Sequence, residues 1–85
     1  MIQARVTVYP RREILDPQGK AIGDALSRLG FEGVVSVRAG KSFEIELSTT
    51  EVSDARRRLE DMCERLLANT VVEDYEIEIL GEDGR

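Results

Sequence analysis

Histidine is absent from these 85 residues, cysteine occurs once and proline twice. Without histidine there is no Ser–His or Cys–His pair to make a nucleophile. One cysteine forms no internal disulfide and falls short of the several Cys or His ligands that zinc needs. A reducing, cytoplasmic setting is therefore expected. No apolar run approaches the ~20 residues of a membrane span. The opening MIQARVTVYP alternates as a strand does and lacks the long apolar core of a leader. Twelve basic against seventeen acidic residues leave a net charge of −5, which suits neither nucleic-acid phosphates nor nonspecific nucleic-acid binding. PQGKAI also fails as a phosphate loop. Ile14 stands where that loop needs its first glycine, and Ala21 where Ser or Thr must follow the lysine.

What is present reads as one domain, 1–80, followed by a polar tail, 81–85, expected to be disordered. A chain this short buries only a little over ~60% of its unfolded surface. That favours self-association, or docking onto something larger, over a freestanding enzyme. Ile2, Ala4, Val6 and Val8 alternate with polar residues as a first strand that Pro10 ends. Asp16 is a suitable N-cap, Pro17 suits the first helical position, and Ala21, Ile22, Ala25, Leu26 and Leu29 recur at helical spacing. Gly30 supplies a left-handed stop. Val35, Val37 and Ala39 alternate as a second strand, Gly40-Lys41 reads as a hairpin turn, and Phe43, Ile45 and Leu47 alternate as a third strand. Val52, Ala55, Leu59, Met62, Cys63, Leu66 and Leu67 form the stripe of a second helix. Ser48 with Glu51, Thr49 and Thr50 are rival caps, and Asn69 can terminate it. Tyr75, Ile77 and Ile79 alternate as the last strand.

The order βαββαβ is the ferredoxin-like α+β pattern, a four-stranded antiparallel sheet with two helices on one face. Right-handed crossovers give the strand order 4-1-3-2. The uncovered face then presents Glu76 and Glu78, Arg5, Glu44 and Glu46, and Arg38, alternating in sign from strand to strand. Such a face is either solvated or a polar subunit interface. RNA-binding domains of this topology stack bases on central-strand aromatics, but here those positions are mostly Arg5, Glu44 and Glu46. Gly19 and Gly23, with Ser27, make a small-residue stripe on the first helix, each glycine costing about 1 kcal/mol relative to alanine. A stripe of that kind admits either a neighbouring subunit or the chain's own sheet. Cys63 falls on an apolar stripe and reads as a small core hydrophobe.

Four segments, LDPQGKA at 15–21, LGF at 29–31, VRAGK at 37–41 and CERLLANTVVEDYEIEI at 63–79, together resemble PurS. That family supplies the small subunit of phosphoribosylformylglycinamidine synthase, the fourth step of de novo purine synthesis. One departure is Thr70, where the family usually has proline. The resemblance implies an accessory role with no catalytic, cofactor or metal residues in this chain. In the family a synthetase subunit, PurL, uses ATP, Mg and formylglycinamide ribonucleotide, and a glutaminase subunit, PurQ, releases ammonia from glutamine. PurS-like chains form homodimers or homotetramers, hold the two together and aid ammonia transfer. On that footing Asp16, Gln18, Gly19, Lys20, Gly23, Arg38, Gly40 and Lys41 are the candidate subunit contacts. The rival is a ferredoxin-like regulatory domain that binds a small molecule, supported by fold analogy alone.

Overall fold

A computed structural model describes residues 1–82. Its elements are β1 (Ile2–Pro10), α1 (Pro17–Arg28), β2 (Lys41–Leu47), α2 (Val52–Met62), a π-helical turn (Cys63–Leu67) and β3 (Glu73–Glu82). The strands form one antiparallel sheet in the order β2-β1-β3. This is the expected 4-1-3-2 arrangement without its outer edge strand; the α+β, ferredoxin-like class stands, but of the two helices expected on one face only α2 packs substantially on the strands.

Alternation in β1 determines the core. Ile2, Ala4, Val6 and Val8 are buried together with Leu47 of β2 and Ala55, Leu59 and Cys63 of the second helix. Phe43, Ile45, Tyr75, Ile77 and Ile79 are half-buried against them. α2 lies over β1 and β3. The π turn, closed by Ala68 N–H donating to Cys63 O at 3.0 Å, directs Leu67 and Ala68 inward and leaves Leu66 exposed. Leu66 and Val52 are therefore not core residues, although both fall on the helical stripe. None of the rival caps bonds the first turn of α2: Glu51 occupies the N-cap position without a capping bond, and Thr49 Oγ1 accepts from Glu51 N–H. Asn69 follows the helix as a turn former, its side-chain oxygen accepting from Val71 N–H.

α1 begins and ends as its residues dictate. Pro17 opens it, and Gly30, at φ 95°, lets Gly30 N–H reach Ser27 O and Phe31 N–H reach Leu26 O, each at 3.0 Å.

Two expectations are corrected. Val34–Ala39 forms no strand, and Gly40-Lys41 forms no hairpin. Gly40 is not in the left-handed region. A Cβ there would collide with Val8 O and crowd Tyr9, so glycine serves close approach and not a turn. The chain instead passes through Gly40 into β2, with Arg38 donating to Pro10 O at 3.1 Å. β3 also runs two residues into the expected tail. Gly81 pairs with Gln3 and Glu82 with Ile2, across a bulge opposite Gln3/Ala4. The remainder of the tail, 83–85, lies outside the described residues.

Candidate subunit-contact site

Seven of the eight candidate residues, all but Gln18, line two clefts beside α1 and the 34–41 segment. Asp16 ties helix and segment together, its Oδ2 accepting from Ala39 N–H at 2.8 Å. That amide, then the nearby amide of Gly19 and more weakly that of Gln18, hold the Asp16 carboxyl below its ordinary 3.8. Asp16 precedes α1 but makes no geometric side-chain capping bond; its main partner is the segment across the cleft.

Gly19 is buried, and a Cβ there would collide with Val37 O. Gly23 faces the Val37 side chain, with 3.6 Å from a notional Cβ to Val37 Cγ2. Both glycines thus face a segment of their own chain. Lys20 pairs with Asp24 one turn on, at 3.5 Å. Arg38 stacks over the Tyr9 ring, 4.8 Å from its centroid. Tyr9 in turn donates its hydroxyl to Glu76 at 3.0 Å, and that hydrogen bond, more than burial or charge, raises the Tyr9 pKa.

Two open clefts result. One of about 440 Å³ between α1 and the 34–38 segment is lined by Asp16, Gly19, Lys20, Gly23 and Arg38, among others. A second, of about 330 Å³, contains Arg38, Gly40 and Lys41 beside Tyr9. Arg38 is shared by both, while Gln18 is exposed and lines neither. Sequence reasoning missed Arg12 in the first cleft and Tyr9 in the second. The outward position of Tyr9 in the β1 alternation was the available signal.

Elsewhere the chemistry is structural. Cys63 is fully buried, and burial first, then the Glu64 and Glu60 carboxylates, push its thiol pKa up. Tyr75 donates to Glu64 at 2.8 Å, which with partial desolvation raises its pKa to about 12. Among the described residues no three His, Cys, Asp or Glu side chains converge to hold a metal. Within the same residues no helix is long and apolar enough to cross a membrane. On the open sheet face Arg5 reaches Glu44 at 3.3 Å and Glu78 at 3.4 Å. Such exposed pairs contribute only ~0–1 kcal/mol each.

The family model described as PurS, phosphoribosylformylglycinamidine (FGAM) synthase, matches residues 3–81. The chain belongs to the PurS family. A PurS subunit of phosphoribosylformylglycinamidine synthase from Mycobacterium leprae is 53% identical over 77 residues, covering 91% of this chain and 94% of that protein. Among solved structures, Bacillus subtilis PurS superimposes with a TM-score of 0.84 at 38% identity, over 95% of this chain and 100% of the other. A chain of the PurLQS structure from Thermotoga maritima gives 0.85 at 31% identity, over 93% and 96%. Membership of PurS makes the chain a subunit of a ligase complex in purine biosynthesis.

Proposed function

We propose that this chain is the accessory subunit that bridges a glutaminase (PurQ) and a synthetase (PurL), so that ammonia released from glutamine passes to the synthetase without escaping to water. The complex it serves uses ATP, Mg and glutamine to convert formylglycinamide ribonucleotide to formylglycinamidine ribonucleotide. This chain binds none of them, works as a homodimer or homotetramer, and resides in the cytoplasm. The observation that carries the reading is the end-to-end similarity to a chain of the Thermotoga maritima PurLQS structure. The residue inventory supports it, because a chain without histidine and with its one thiol buried is unsuited to glutaminase chemistry. The cluster around Asp16, Gly19 and Arg38 serves as a subunit-contact site, with Arg38 and Lys41 turned toward acidic groups on a partner.

The test is gel filtration of this chain with the glutaminase and synthetase of the same source, with and without glutamine and ADP–Mg, alongside turnover assays. The three chains are expected to co-elute. Glutamine-dependent turnover should need this chain, and ammonia-dependent turnover should need it far less. Equal glutamine-dependent turnover in its absence overturns the proposal. Calorimetric heat from an amino acid added to this chain alone would favour a regulatory domain instead.

A further inference from the structure

With seventeen acidic residues against twelve basic ones, two neighbouring cations without a carboxylate are the exception in this chain. Arg38 and Lys41 are such a pair. Both border the cleft of about 330 Å³ beside Tyr9, and among the described residues neither forms an ion pair. The acids next to this end of the sheet are engaged elsewhere. Glu76, opposite Thr7, accepts from the Tyr9 hydroxyl; Asp74, opposite Tyr9, lies 3.4 Å from Arg11; Glu44, two residues beyond Ser42, pairs with Arg5.

Arg38 is held in place without being neutralised. Its Nη1 donates to Pro10 O at 3.1 Å, and its guanidinium carbon lies 4.8 Å from the centre of the Tyr9 ring. The ring is anchored in turn, since the Tyr9 hydroxyl donates to Glu76 at 3.0 Å. These contacts occupy one face and one N–H of the guanidinium, and its other donors stay available for a bidentate pair with an oxyanion. The side chain is ordered before any ligand arrives, which removes part of the entropy cost of binding. Gly40 makes this possible: a Cβ there would collide with Val8 O and crowd Tyr9, so only glycine lets the chain behind Arg38 run this close to β1.

The strands add hydroxyls. Thr7 of β1 and Ser42 of β2 are direct cross-strand partners lining the same cleft, and the alternation of β1 puts Thr7 on the face of Tyr9. Residues so paired have Cβ atoms ~5 Å apart, so two O–H donors can converge on one ligand.

The geometry points to an oxyanion site in this cleft that holds free phosphate in its dianionic form. Two cations match two negative charges, and hydroxyls from both strands suit the oxygens that the cations leave. A carboxylate fits less well. Its single charge and two oxygens satisfy the open edge of Arg38 and leave Lys41 and both hydroxyls unused. Where Arg38 and Lys41 also meet an acidic partner, phosphate competes for the same cations; the site itself rests on the cleft and not on that contact.

The test uses the full-length chain alone, so neither co-elution with other subunits nor turnover enters it. Isotope-labelled protein is titrated with sodium phosphate at mildly alkaline pH and followed by nuclear magnetic resonance. Sodium chloride at matched ionic strength is the control, and sodium acetate is the carboxylate probe. Expected are saturable shifts confined to the amides of Thr7, Tyr9, Arg38, Lys41 and Ser42 and to the Arg38 side chain, with acetate at least about tenfold weaker. Arg38→Gln should weaken phosphate about tenfold, as the loss of a charge-assisted hydrogen bond implies. Because Arg38 also holds Pro10 O, Lys41→Gln is the second variant and should weaken phosphate several-fold. Arg56→Gln, which removes an exposed cation of α2, should leave it unchanged. Shifts that chloride reproduces, or that Arg56→Gln reduces as much as the cleft variants do, overturn the site. Acetate binding as tight as phosphate overturns the phosphate assignment and makes the cleft a socket for a partner's carboxylate.

Discussion

Gly19 and Gly23 lie one turn apart on α1, yet alanine should act on them with opposite sign. In a helix interior, Gly→Ala ordinarily stabilises by about 1 kcal/mol, because glycine loses more backbone freedom on folding. At Gly23 nothing opposes that gain: the added methyl meets only Val37 Cγ2 at 3.6 Å, an ordinary contact. At Gly19 the methyl collides with the backbone carbonyl of Val37 and crowds the Asp16 carboxylate. A carbonyl cannot rotate aside as a side-chain end can, so α1 and the 34–38 segment must separate. Overpacking of this kind costs about 1–3 kcal/mol, which outweighs or cancels the helical gain and leaves a net loss of up to about 2 kcal/mol. With ~4–8 °C per kcal/mol for a domain of this size, Gly23→Ala should raise the melting temperature by several degrees and Gly19→Ala should leave or lower it. Hydrogen exchange of α1 amides should slow in the first variant and quicken in the second. Equal stabilisation by both would refute the close approach at Val37.

Four further outcomes follow from the same geometry. Asp16→Asn should quicken exchange at the Ala39 amide, and because the carboxyl pKa is lowered by folding, the wild-type latch should hold above pH 3.8 and weaken as pH falls below it. Tyr75 should ionise near 12 in a spectrophotometric titration; a raised pKa favours the neutral phenol, so its contribution is complete below pH ~10 and is lost as pH rises from there through about 12, and Glu64→Gln should move the titration down. Cys63→Ala should cost about 1 kcal/mol in denaturant unfolding for the small cavity it leaves, with glutamine-dependent turnover of the assembled complex retained. Lys41→Ala, whose side chain makes no ion pair among the described residues, should weaken assembly with the synthetase and glutaminase more at low salt than at high salt, without changing the fold.

The strands and α2 were legible because burial follows a strict period: every second residue of β1 and the Ala55, Leu59, Cys63 spacing face one core. The end of α1 was legible because only glycine takes φ 95° there. The reading failed where one residue type has two physical uses. Gly40 signals a turn when its φ is the issue and close approach when its missing Cβ is, and here Val8 O demands the second. Val34–Ala39 alternates as a strand should, but periodicity tells which face a segment presents and not whether a neighbouring strand is there to pair with it. The two glycines of α1 pose the same problem, and the position of Val37 answers it.

Charge and apolar surface are divided unevenly over the molecule, and the division assigns them different work in assembly. Ion pairs lie on the open sheet face and along the second helix: Arg5 with Glu44 and Glu78, Arg57 and Arg58 with Asp54, Arg65 with Asp61. Each such pair contributes ~0–1 kcal/mol and is screened by salt. Leu15, Leu29, Phe31 and Val35, all exposed on or beside the α1 arm, are another matter, since covering one large apolar side chain yields ~1.5–3 kcal/mol. If copies of this chain associate as proposed, the α1 arm is where most of the free energy should reside, and charges such as Lys41 should contribute orientation. High salt should accordingly loosen contacts with the other subunits before it dissociates one copy of this chain from another.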